Sequence, residues 1–357
     1  MHAHRIATLA PLLLLVACKE TSPIVERDTP TDVTVVLDAR TKLGGVALGD
    51  VYPELPGLEI VAVAVDGRVF VVRNERGRWR NEIAFQAPGE LIQVACGDLL
   101  PDHPGDEILA VGMAEGDEDS GGPGAAWMAA RERGRGFVAV ELLRPSALQH
   151  AAVVGDFVPS HPGLEGISAG FDRTVHLFLV DDDLSFEHRE VAELDGPGKG
   201  ACLQGDDAVV ACADGKLVRV RRDDGGDFDT EVLASGPAGF ARPASSGDDL
   251  LVACDDGALL WLRADGVSEV AYRSEAKLRG AFLGDLDAAH PGVEAATAGY
   301  DGRIVLVRRS GTGFASVDLA TADSAFHHLV GGDVLPDRPG PELVVVGYSG
   351  EIRVLSR

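Results

Sequence analysis

Gly49-Asp50-Val51-Tyr52-Pro53-Glu54-Leu55-Pro56-Gly57-Leu58-Glu59 contains a phrase that this chain writes five times. The other copies begin at Gly97-Asp98, Gly155-Asp156, Gly284-Asp285 and Gly332-Asp333, and they end at Glu107, Glu165, Glu294 and Glu342. Glu is the ninth residue after Asp each time, and Pro-Gly stands two residues before the Glu: Pro56-Gly57, Pro104-Gly105, Pro162-Gly163, Pro291-Gly292, Pro339-Gly340. A fixed phrase at a fixed spacing marks one supersecondary unit copied along the chain. Asp50 to Asp98 is 48 residues, Asp98 to Asp156 is 58, and Asp285 to Asp333 is again 48. The 129 residues from Asp156 to Asp285 are three steps of 43. Two degenerate copies lie in that gap, at Gly205–Gly215 and Gly247–Gly257. Both have lost the Pro-Gly-x-Glu insert and kept the strand after it. The total is seven units.

Each unit reads as four strands. In the first, Val46-Ala47-Leu48 leads into Gly49-Asp50, and Ile60–Val65 is a second apolar strand. Asp66-Gly67 is a hairpin signal, Val69–Val72 a third strand, and Trp79–Phe85 a more polar fourth. Inner strands that are almost wholly apolar suit burial on both faces, and charged fourth strands suit an outer edge. No long segment has a 3.6-residue period. Four strands in about 40–50 residues describe a propeller blade, so the expected fold is an all-β, seven-bladed β-propeller with four-stranded blades. The seventh unit ends after three strands, Phe326–Gly332, Leu343–Tyr348 and Ile352–Leu355. An orphan, Val33–Leu37, precedes the first unit and resembles the other fourth strands. It is expected to complete the last blade and close the ring.

The N-terminus carries a second signal. A short basic start, Met1–Arg5, precedes a mostly apolar stretch from Ile6 to Ala17. That is too short to span a bilayer and right for a signal-peptide core. It ends in Leu15-Val16-Ala17-Cys18, which resembles the bacterial lipobox. The resemblance implies cleavage before Cys18 and lipidation of its thiol. The domain reading is then 1–17 signal peptide, 18–30 lipidated Cys and polar tether, and 31–357 propeller. By the same resemblance, Lys19 rather than Asp after the Cys favours the outer membrane over the inner. The expected partner on that side is the membrane, through acyl chains on Cys18.

Net charge is −25 over 357 residues. A surface that acidic argues against nucleic acid and against adsorption to anionic headgroups, and leaves room for cations. Beyond Cys18 there are Cys96, Cys202, Cys212 and Cys254. They read as small buried apolar residues, with a Cys202–Cys212 bridge the alternative that an exported chain allows.

The repeats resemble the FG-GAP/VCBS class of β-propellers, in which an acidic loop precedes an Ile/Val-rich strand. Leu58-Glu59-Ile60-Val61-Ala62-Val63 and Pro341-Glu342-Leu343-Val344-Val345-Val346 carry the likeness, which spans residues 31–357. Calcium-binding members have an Asp-x-Asp-x-Asp-Gly loop. Here only Asp285-Leu286-Asp287 keeps two close carboxylates, so Asp285 and Asp287 are the weak metal candidates and calcium the one cofactor entertained. The competing reading is a closed turn, with Asp accepting backbone N–H groups in the turn after it and Glu tying down the other end.

Departures from the repeat point toward function. Blade two inserts the acidic, Gly-rich segment Glu115–Gly124 where the others have a tight hairpin. His150, His327 and His328 stand at the starts of first strands, with Gln93 and Arg279 in equivalent places. First strands line the central channel, so these five are the candidate ligand-binding residues at its mouth, or else ordinary polar lining. Blades three and seven lie nearly opposite, which sets His150 apart from His327. His103, His161 and His290 fall in loops on the other face. No His-Glu-x-x-His, Cys-x-x-Cys or P-loop is present, and no catalytic residue is assigned. The functional expectation is a lipid-anchored envelope propeller that binds or scaffolds a protein or glycan. The alternative is an envelope enzyme acting on a polysaccharide or small molecule at the channel mouth.

Overall fold

The computed structural model describes residues 31–357 apart from 116–121, 133, 288, 289, 291 and 339. The signal-peptide, Cys18 and tether assignments therefore lie outside the described residues, as does the middle of the blade-two insertion. The described chain forms seven four-stranded antiparallel sheets. Blade one is Leu43–Gly49, Glu59–Ala64, Arg68–Glu75 and Arg78–Gln86, paired in that order from the axis outward. The first strand of each blade packs on those of its two neighbours, and blade one meets blade seven, so the ring is closed.

Alternation along the second strands explains the packing. Every residue of Glu59–Ala64 is buried. Ile60, Ala62 and Ala64 pack toward blade seven with Val344 and Val346, whereas Val61 and Val63 pack toward blade two with Leu91 and Ile108. A strand with a two-residue period sends its side chains to opposite faces, so an all-apolar run has a neighbour on each. The fourth strand Arg78–Gln86 is mostly exposed, as its charges require. At the hairpin after the second strand Gly67 has φ +82°, and a Cβ there would lie 2.1 Å from the Ala87 carbonyl oxygen. That conformation and that approach both demand glycine.

Asp32–Asp38 pairs antiparallel with Glu351–Ser356 and completes blade seven. The register shifts between Val35 and Leu37. This bulge turns Val36 into the seam between blades seven and one, where it packs with Ile352 and Val354, while Val33 and Val35 stay exposed. Arg338 donates to Asp32 at 3.1 Å and to Ser356 Oγ at 2.5 Å, tying the strand at its start.

The recurring Asp…Glu loop is a turn lock, with the roles reversed from the expectation that Asp takes the turn's N–H groups. The buried Glu takes them. Glu165 accepts from Phe157 and Val158 at 2.7 and 2.8 Å, and Glu342 accepts from Val334 and Leu335 at 3.1 and 3.0 Å. Glu59, Glu107 and Glu294 accept from Tyr52, Leu100 and Leu286. The Asp contributes its backbone carbonyl to the next blade. Leu58 donates to Asp333, Asp106 to Asp50 and Leu164 to Asp98, each at 2.8 Å. The donor follows Pro-Gly in each case. In blade seven that position is Pro341, which has no N–H to give.

Cys96, Cys202, Cys212 and Cys254 are free thiols. Cys202 pairs with Val209 and Cys212 with Gly198. The hairpin thus holds the two thiols at opposite ends of the ladder, and the bridge between them is corrected to two separate thiols.

Candidate functional site

Every first strand carries one extra residue against its second strand near its start. Leu43 and Gly45 pair with Ala64 and Val63, so Gly44 is unpaired, and Ile92, His150, Lys199, Arg279 and His327 repeat the pattern. In blade five the shift falls between Phe240 and Pro243, at Ala241-Arg242. A bulge re-aims the side chain it displaces. Seven bulges at one level of a ring collect their residues at one end of the channel.

Arg242 forms the floor of that end. It is 2 % exposed and crosses to three other blades. Its Nε donates to Gln93 Oε1 at 3.3 Å, Nη1 to the His327 carbonyl at 2.9 Å, and Nη2 to the Gly44 carbonyl at 3.1 Å. Burial, with the nearby Arg279 charge, brings Arg242 down to about 9. No carboxylate pairs with it among the described residues. His327 Nδ1 donates to the same Gly44 carbonyl at 2.5 Å. His150 Nδ1 donates to the Lys199 carbonyl at 2.8 Å. The His150 and His327 rings are 6.3 Å apart, so blades three and seven are not too distant for their side chains to meet. Burial and Arg242 take His150 down to about 3 and His327 well below the ordinary imidazole range, so both are neutral at pH 7.

Above this floor stand charged and aromatic groups. Asp255 Oδ2 accepts from Lys199 Nζ at 2.9 Å, and Arg279 Nη1 lies 2.9 Å from Oδ1. Burial opposes the Asp255 charge, yet Lys199, Arg279 and Lys277 hold its carboxyl below the usual range. Arg279 stacks on Tyr300 at 4.9 Å, Lys42 on Tyr348 at 5.1 Å, and His327 on Tyr348 at 5.4 Å. The two tyrosine hydroxyls are 2.9 Å apart. Phe171 faces His150 at 6.4 Å and is 46 % exposed. Phe171, Asp255, Tyr300 and Tyr348 occupy one repeat position, just after the second strand, where each N–H donates to the carbonyl of the residue just before the first strand.

Of the five sequence candidates, the structure gathers His150, His327, Arg279 and Gln93. His328 lies beside them: its Nδ1 accepts the Val46 N–H at 3.1 Å, and burial with the nearby Arg242, His327 and His150 takes it well below the ordinary imidazole range. Arg242, Lys199, Tyr300, Tyr348 and Phe171 were not singled out by sequence. At the other end of the ring, Asp285 is exposed and Asp287 is buried. Asp287 is paired with Arg308, with His290 at 2.9 Å and with Arg357 at 3.4 Å. Guanidinium groups hold the place that a calcium ion at Asp287 would take. Asp172, His176 and His188 form a hydrogen-bonded line in blade three at 2.9 and 3.0 Å, with Gln149 and Ser168 behind it. That line crosses the blade and braces it. A cleft of about 250 Å³ lies away from the channel, at the clasp between Trp79, Leu335 and Arg338. Its arginine is already bound to Asp32 and Ser356.

No family model matches the chain, and no curated protein matches it. Solved structures do. The WD40 β-propeller domain of Doa1 is similar at 12% identity, with a TM-score of 0.63, over 91% of this chain and 97% of that one. Virginiamycin B lyase from Staphylococcus aureus is similar at 10% identity, with a TM-score of 0.63, over 92% and 99%. A streptogramin B lyase is similar at 10% identity, with a TM-score of 0.60, over 91% and 97%. At these identities the likeness is one of fold: a β-propeller that elsewhere carries unrelated tasks.

Proposed function

We propose that this chain is a lipid-anchored cell-envelope propeller, held by acyl chains on Cys18 and favouring the outer membrane, that binds a protein or glycan partner at the channel mouth. The FG-GAP/VCBS-like repeat is part of that reading, as are the 1–17 leader and the 18–30 tether. The observation that carries it is the convergence of bulged first strands on one end of the ring, where Arg242 forms a floor and Phe171, Tyr300 and Tyr348 stand above it. Exposed aromatic rings beside buried cations are what a recognition site needs and what a merely soluble surface avoids. The absence of nucleic acid from the proposed partners follows from the −25 charge.

One observation favours the second reading, an enzyme acting on a polysaccharide or small molecule at the mouth. His150 and His327 are neutral imidazoles close together there, and two of the structures of similar fold are named as lyases. Both histidines spend Nδ1 on backbone carbonyls, which suits positioning as well as proton transfer.

Cys18→Ser tests the anchor. The variant is expected to leave the membrane fraction or to remain unprocessed. Unchanged membrane retention with unchanged processing would overturn the lipoprotein assignment.

A further inference from the structure

The mouth is electropositive in a chain that is otherwise strongly acidic. Among the described residues Lys42, Lys199, Arg242, Lys277 and Arg279 stand there against two carboxylates, Asp255 and, at the repeat position of Lys42 and Lys277, Glu90. Asp255 is already shared by Lys199 and Arg279. Arg242 is almost fully buried, with only neutral acceptors around its guanidinium. A buried cation without a counter-charge is costly, and an arriving anion relieves that cost. Arg279 Nε is likewise buried without a hydrogen-bond partner.

The surroundings restrict the anion. Just outside the rim stand Asp66, Asp172, Asp214, Asp256 and Asp301 on the same hairpins. They are engaged by Arg68, His176, Lys216, Arg273 and Ser274 respectively. A polyanion must cross that acidic ring within the field of a −25 molecule. A single carboxylate at the tip of a neutral body meets the cations and escapes most of the repulsion. The body must then rest against Tyr300, Tyr348 and Phe171. Tyr348 and Phe171 are 38% and 46% exposed, and Tyr300 and Tyr348 add two hydroxyl groups. Flat aromatic faces with hydroxyls match a ring that has an apolar face and a polar edge.

We propose that the channel mouth captures an acidic saccharide by its end residue, with the carboxylate directed to Arg242 and Arg279 and the sugar ring stacked on Tyr300 and Tyr348. This rests on the reading of the mouth as the binding site and names its ligand class.

Calorimetry on the intact soluble protein carrying Cys18→Ser tests it. The probes are an oligosaccharide ending in glucuronic acid, the matching glucose-ended oligosaccharide, and sodium phosphate. The acidic oligosaccharide is expected to bind at least about tenfold more tightly than the neutral one. Tyr348→Ala and Arg279→Gln should each weaken it by about tenfold while the melting temperature stays near that of the parent. Arg242→Met should do the same if it folds, and the other two variants decide the matter if it does not. Equal binding of acidic and neutral sugars, lost in Tyr348→Ala, would overturn the acidic assignment while leaving the mouth as the binding site. Binding of phosphate alone would overturn the saccharide assignment. No binding of any probe, or acidic binding that neither variant changes, would overturn the proposal. Acidic binding that neither variant changes would remove the mouth as the site as well.

Discussion

Glu107 is 1 % exposed, an acid that opens the buried second strand of blade two. Burial raises its carboxyl to about 8 and that of Glu59 to about 7, against the pull of the backbone N–H groups they accept. A carboxyl raised on folding binds its proton more tightly in the native state. The stability it contributes is present in full below the unfolded value near 4.5 and is lost as pH rises through about 8. Glu107→Gln keeps an acceptor for Leu100 without the charge. It should flatten the decline in melting temperature between about pH 5 and pH 8. Glu107→Ala leaves that N–H buried and unmet and should cost on the order of 1–3 kcal/mol. Thermal unfolding across that pH range checks both, and identical pH profiles for parent and Glu107→Gln would count against the assignment. The phrase itself was legible, because five copies repeat it. Its division of labour was not, since spacing does not say which carboxylate turns inward. Arg242 escaped notice for a related reason. It sits in a degenerate unit beside Pro243, and only its place six residues before Asp248, as His150 stands before Asp156 and Arg279 before Asp285, signalled a place on the channel.

At the scale of the strand, the clasp is the element whose loss should be felt most. Asp32–Asp38 supplies the outer strand of blade seven and brings Val36 and Leu37 to the seam with blade one. Removing residues 31–38 uncovers Glu351–Ser356 along its length and leaves the ring held only by contacts between its inner strands. The buried Val36 and the half-buried Leu37 together account for about 2–4 kcal/mol. The melting temperature is expected to fall by about 10 °C, measured by circular dichroism. A truncated chain melting with the parent would show that the strand is an ornament. This element was readable because three strands at one end and one at the other sum to a blade. The bulges were not readable. A one-residue slip in pairing leaves no mark in a strand such as Leu278-Arg279-Gly280, yet it decides whether Arg279 or its neighbour reaches the axis.

For the whole molecule, the period of the repeat sets the blade number, the apolar inner strands set the packing, and ring closure brings residues far apart in sequence to one point. Gly44, Gln93, Arg242 and His327 come from four blades and meet in one hydrogen-bonded cluster. The fold was thus legible from local pattern, and the site only in part, because a site assembled at an axis depends on which single residue each blade presents there. The aromatic rim had a signal in principle: Phe171, Tyr300 and Tyr348 hold the same place before the hairpin turn. The account's central claim is that this end of the channel, and not the blade edges, is where the protein meets its partner. Site-directed photocrosslinking in intact cells tests it most directly. With p-benzoylphenylalanine placed at Phe171 on the rim, or at the exposed Val232 on the outer strand of blade four, a discrete adduct is expected at the rim and not at the outer strand. That adduct should fade when Arg279→Gln is added. A discrete adduct at Val232 with none at Phe171 would contradict the claim.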